Sequence, residues 1–176
     1  MESWREDLKK YLKIVIPIVI ALIVIFVITW RLWSHNLSKL ISVNEDSVTA
    51  IACGVIVSGA KEPGVPSVDA YQLQDLDKDD EEFNAILDIL KDSKYRQSFR
   101  NLLPWAKESD TNESNKSAMV LLIWGDTESD RCVLTFCGNG RILVDQGATD
   151  GYKVYYAIDD SVLDKLVTYV QEHGVN

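Results

Sequence analysis

Between Ile14 and Trp30 the chain runs seventeen residues without a charge, thirteen of them Ile, Val, Leu or Phe, and no later stretch is as long. As a helix this run would span about 26 Å at roughly 1.5 Å per residue. Leu32 and Trp33 extend it toward the roughly 30 Å of a hydrocarbon core. Each large aliphatic or aromatic residue favours mid-bilayer insertion by about 0.3–0.6 kcal/mol, or roughly 4–8 kcal/mol for the segment. Pro17 and Thr29 do not cancel that, so residues 14–33 read as a transmembrane anchor contacting the lipid bilayer. Arg5, Lys9, Lys10 and Lys13 precede it, whereas Arg31 and Lys39 follow. That asymmetry predicts a cytoplasmic amino terminus over residues 1–13 and a cell-membrane protein whose remainder lies outside. Tyr11, Trp30 and Trp33 suit the two headgroup layers. The exit Trp30-Arg31-Leu32-Trp33 has no small-residue cleavage site, which argues for an uncleaved anchor rather than a signal peptide.

Residues 34–46 are polar and read as a juxtamembrane connector, with folded material over residues 47–176. Val48 to Val57 is β-branched and apolar, a strand expected to be buried on both faces. Lys61 to Pro66 reads as a turn, and a short strand is expected around Tyr71-Gln72-Leu73. Phe83, Ile86, Leu87 and Leu90 fall on one helical stripe, with Asp79 to Glu82 crowding the start and Asp77 as its cap. Lys94 to Leu103 reads as a helix or an irregular crossing closed by Pro104, and Lys107 to Ser117 as a polar loop. Four β-type runs follow, Ala118–Trp124, Arg131–Cys137, Arg141–Val144 and Tyr152–Ile158, with Asn139-Gly140 as a hairpin turn. Val162, Leu163, Leu166, Val167 and Val170 predict a closing helix, with Ser161 and Asp164 in capping-box spacing and Gly174 as its stop. The fold class is therefore α+β: an N-terminal transmembrane helix, then one domain with a mostly antiparallel sheet and two packed helices.

Composition narrows the partners. From Ser34 onward, thirteen Lys plus Arg against twenty-four Asp plus Glu leave a net charge of −11. Such a domain repels nucleic acid, whose binding depends on phosphate neutralisation. Three cysteines, Cys53, Cys132 and Cys137, do not make a disulfide framework. Cys132 and Cys137 point to opposite faces of one strand, while a bond from Cys53 to either stays open if their strands are neighbours.

Candidate chemistry is sparse. Asp75 to Asp80 resembles the start of a calcium loop, but the sixth position is Asp80 where Gly is needed and the twelfth is Ile86 where Glu is needed. His35 and His173 have no ligand partner at metal spacing, no Gly-x-Ser-x-Gly occurs, and Gly138-Asn139-Gly140 lacks a phosphate cradle's strand-to-helix setting. Asp159 with Asp160 reads as a helix cap before it reads as an acid–base pair. No catalytic residue, metal or cofactor is expected. One segment departs from the acidic background: Lys94, Tyr95, Arg96, Phe99, Arg100 and Trp105 interleave cations with aromatics, a candidate surface for a protein, lipid or envelope ligand. The competing reading places Tyr95, Phe99, Leu102 and Leu103 over the sheet with the cations solvated.

The basic start and anchor, Asp79-Asp80-Glu81-Glu82-Phe83-Asn84-Ala85-Ile86-Leu87, Val133-Leu134-Thr135-Phe136 with Gly138-Asn139-Gly140, and Leu163-Asp164-Lys165-Leu166-Val167 together resemble small single-pass envelope proteins of Gram-positive bacteria that carry an extracytoplasmic domain of unknown function. The resemblance implies an address and a fold class. The expected role is non-catalytic binding of a protein, peptide or envelope component. A small envelope enzyme working through carboxylates on wall or sugar substrate is the alternative, as is a cytoplasm-facing accessory subunit. The full-length chain should stay with membranes through an alkaline carbonate wash and leave them only in detergent; recovery in the wash would remove the anchor. In intact cells, an impermeant protease should degrade residues 47–176.

Overall fold

The computed structural model describes residues 2–31, 33–62, 65–98, 101, 115–147, 151–159 and 161–176. The chain forms two compact units, Met1–Trp33 and Ser34–Asn176. In the first, α1 runs over Glu2–Arg31 with Pro17 inside it. Its stretch Tyr11–Thr29 is 19 residues of mean hydropathy 3.0, long and apolar enough to cross a membrane. Thr29, the polar residue near its end, returns its hydroxyl to the Ile25 and Phe26 carbonyls at 2.8 and 3.0 Å. That satisfies a group that lipid could not.

The second unit is α+β, built on one antiparallel sheet in the order β1-β4-β8-β7-β6-β5-β2-β3. Its strands are β1 (Ser34–His35), β2 (Ala50–Glu62), β3 (Val65–Asp77), β4 (Tyr95–Gln97), β5 (Lys116–Ile123), β6 (Arg131–Cys137), β7 (Arg141–Asp145) and β8 (Lys153–Ala157). The helices are α2 (Leu37–Ile41), α3 (Glu81–Asp92) and α4 (Ser161–His173). Strands β5 to β8 are the expected meander. Gly138-Asn139-Gly140 does form the hairpin, but only Gly140 takes a positive φ, of 74°. With Gly140 N–H donating to Cys137 O at 3.0 Å, the link is a three-residue loop rather than a two-residue Asn-Gly turn.

Residues across neighbouring strands build the core in rows. Cys53, Val120, Leu134 and Val144 are in register and buried, as are Val55, Ala118, Phe136 and Ile142. Helix α4 lies against β2, β3 and β5, and α3 against α4 and β3. They bury the expected stripes, Phe83, Ile86, Leu87 and Leu90 from α3 and Val162, Leu163, Leu166, Val167 and Val170 from α4. The caps differ from expectation. Asp80, not Asp77, is the N-cap of α3. At α4, Asp159 accepts from Ser161 N and Oγ at 3.0 and 2.7 Å. Those two bonds hold its carboxyl below the ordinary range.

Three further expectations change. Residues 34–46 are not a free connector: β1 pairs with β4, and Leu37, Leu40 and Ile41 of α2 are buried, so the domain begins at Ser34 with a third helix in its core. The short strand at Tyr71 is a thirteen-residue strand paired along β2, with Asp75 at φ 54° where the register shifts. Asp tolerates that left-handed conformation better than most residues. And β2 is buried on one face only. Ile51, Cys53 and Val55 are inside while Ile56 is exposed. Phe83→Ala should cost about 3–5 kcal/mol in urea unfolding, against about 0.5 kcal/mol or less for Met119→Ala on the exposed face; similar losses at both would contradict a one-sided core.

Candidate functional site

The helices cover one face of the sheet, and the other carries the candidate site. On β3, β2, β5 and β6 that face forms the row Gln72–Gly54–Met119–Thr135, flanked by Ala70–Ile56–Ser117 on one side and Ala52–Leu121–Val133 on the other. None of these residues is charged, which sets this surface apart in a domain of net charge −11. Four large apolar side chains gather here in the open: Ile56 at 49% exposure, Val68 at 65%, Met119 at 56% and Val175 at 69%. Isolated exposed apolar residues need no explanation, whereas a contiguous group marks a surface meant to be covered.

At the centre lies a depression of about 470 Å³, floored by Gly54 and Ala70 and walled by Ile56, Met119, Gln72 and the terminal Val175 and Asn176. A Cβ at Gly54 would meet nothing nearer than the Tyr71 carbonyl oxygen at 4.0 Å. Its φ is not positive either, among the described residues. The fold therefore does not require glycine at Gly54. Glycine inside a strand costs about 0.5–1 kcal/mol relative to alanine, and such a position commonly marks the close approach of a ligand or another backbone.

The chain's own end touches this edge. Val175 forms an isolated antiparallel bridge with Gln72, Gln72 N donating to Val175 O at 3.0 Å and Val175 N to Gln72 O at 3.1 Å. Gly174 makes the approach possible, since a Cβ there would sit 2.5 Å from Val170 O and 3.0 Å from Gln72 O. Glycine here serves contact rather than a left-handed stop.

The basic-aromatic segment is dispersed. Tyr95 is fully buried and donates its hydroxyl to Leu90 O at 2.7 Å, with burial pushing its phenol above the ordinary range. It is a core residue and presents no ring to a ligand. Lys94 reaches Asn36 Oδ1 at 2.8 Å, and Arg96 is exposed on β4. Phe99, Arg100 and Trp105 lie outside the described residues. The residues that sequence reasoning missed are Gly54, Ile56, Val68, Met119 and Val175. Their signal was the small-residue alternation Ala52, Gly54 within an apolar strand.

Groups with chemical potential are muted. No cluster of three or more His, Cys, Asp or Glu that could hold a metal occurs among the described residues. All three cysteines are free and buried. Because β5 separates β2 from β6, Cys53 is about two strand spacings, roughly 9–10 Å, from the strand of Cys132 and Cys137, beyond the roughly 7 Å limit for a bridge. The open possibility of a Cys53 disulfide is thereby closed. Burial raises the Cys53 and Cys132 thiols from 9.0 to about 12, and Cys137 is raised by burial too. A thiol held neutral in the fold and released on unfolding adds stability that is intact below pH 9.0 and drains away toward about 12. Native protein at pH 8 should thus resist iodoacetamide at all three thiols until denaturant is added, and its stability should fall as pH climbs above 9; rapid native alkylation of Cys53 would contradict this burial.

No protein-family model, curated protein or solved structure matches this chain.

Proposed function

We propose that this is a single-pass membrane protein whose C-terminal domain is displayed outside the cell and binds a polypeptide partner, without catalysis, on the open face of its sheet. The observation that carries the reading is Gly54. It sits mid-strand at a stability cost, free of any steric or torsional need within its own fold, and its missing side chain opens the floor of an apolar depression. A shallow, uncharged surface walled by a flexible Met suits side chains of a partner better than it suits a reacting small molecule. The orientation rests on the four cations before the apolar run against two after it. Buried thiols are compatible with an oxidising exterior, because they cannot meet an oxidant or one another.

The test is photo-crosslinking in native membranes, with benzoylphenylalanine replacing Met119 in one variant and the exposed helix residue Asp88 in another. A discrete adduct is expected from Met119 and none from Asp88. Gly54→Val then separates binding from folding. Its Cβ would meet nothing nearer than Tyr71 O at 4.0 Å, so the substitution should raise stability by up to about 1 kcal/mol, yet abolish the Met119 adduct. An adduct that persists undiminished in Gly54→Val would sink the reading.

A further inference from the structure

Resting on that binding face, the geometry points to a specific occupant: we infer that β3 takes an extended, cationic peptide as an added ninth strand, in the place now held by Val175.

The outer edge of β3 is where the sheet can grow. Gln72 directs its N–H and C=O away from β2, as its bridge to Val175 shows. Alternation along a strand gives Ala70 and Val68 the same outward direction, and their side chains, like that of Gln72, lie on the open face. No ladder partner faces Val68 or Ala70 on that edge among the described residues, since β3 ends the sheet. Regular pairing to β2 runs from Ser67 to Leu73 before the shift at Asp75, room for a seven-residue strand. The terminal bridge is a one-residue rehearsal of the contact: antiparallel, joined by two main-chain hydrogen bonds, with an apolar side chain at the rim of the depression. Two hydrogen bonds to an exposed valine are readily exchanged for a longer ladder.

Charge selects the occupant. From Val65 to Asp77 the strand carries Asp69, Asp75 and Asp77 and neither Lys nor Arg, and Glu172 is exposed three residues before Val175. A second copy of this chain would bring the same acids against them, two domains of −11 each, and like charges across paired strands repel. A partner strand with apolar residues toward the depression and Lys or Arg on the alternate positions meets both demands.

The experiment uses the full-length protein in lipid nanodiscs of zwitterionic composition and three synthetic heptapeptides: alternating Lys and Val, alternating Glu and Val, and the Lys–Val peptide with its central Val replaced by Pro. Amide exchange at Val68 and Ala70 is followed by NMR together with the Met119 methyl signal. At saturating Lys–Val peptide, exchange at both amides should slow by about tenfold or more, less at high salt, and neither the Glu–Val nor the Pro peptide should reproduce it. Equal protection by the Glu–Val peptide overturns the charge selection. Protection that grows with protein concentration alone identifies a second copy as the occupant and overturns the proposal. A shifted Met119 methyl without edge protection overturns strand addition while leaving the binding face standing; if neither responds, both readings fall.

Discussion

Everything in the domain follows from an inequality of cover: one wide sheet has two faces, and the helices close only one. The apolar stripes of α3 and α4, together with Leu37, Leu40 and Ile41 of α2, share one core with Cys53, Val120, Leu134 and their neighbours. At about 25 cal/mol per Å² of apolar surface, that burial is what orders the long β2–β3 pair, which has no helix on its other side. A sheet so built leaves its second face uncovered by its own helices. In an acidic domain the usual solution is charge on every outward position. Here the rows through Ala52, Gly54 and Ile56 carry none from β3 to β6, and charge returns in the next row, Asp77–Ala50–Ile123–Arg131.

The same geometry limits what the open face itself can do. Catalytic groups need convergent polar side chains in a water-excluding cleft, and an open sheet face spreads its side chains apart, about 4.8 Å per strand. The cysteine thiols lie inside, where burial holds Cys53 and Cys132 protonated. What an open face and a free edge can do is pair with another chain. The edge is partly blunted, by Pro66, by Asp75 in its left-handed turn and by the bridge of Val175, devices that discourage indiscriminate aggregation.

The sequence revealed those elements whose signal is local. The stripes of α3 and α4 appear at helical spacing, and Arg131–Cys137 coincides with β6 residue for residue, because strongly periodic segments need no tertiary help. Helix α2 escaped notice since five residues are too few to show a period. Strand β3 was under-read because Gln72, Gln74 and its aspartates dilute its β character; it is extended because β2 pairs with it. The candidate site left only the faint mark of Ala52 and Gly54 alternating within an apolar strand. Its key feature is a side chain that is missing at Gly54, and neither a stripe nor a charge run reports an absence. The basic-aromatic segment drew attention instead, and Tyr95 proved to be core.

The one-sided sheet is tested most directly by solvent paramagnetic relaxation. A soluble gadolinium chelate added to methyl-labelled full-length protein should strongly broaden the Met119 and Ile56 methyl signals and spare those of Ile51, Ile86 and Leu134. Equal shielding of Met119 and Ile51 would mean that the second face is closed, and the account of this molecule as a binding surface would be wrong.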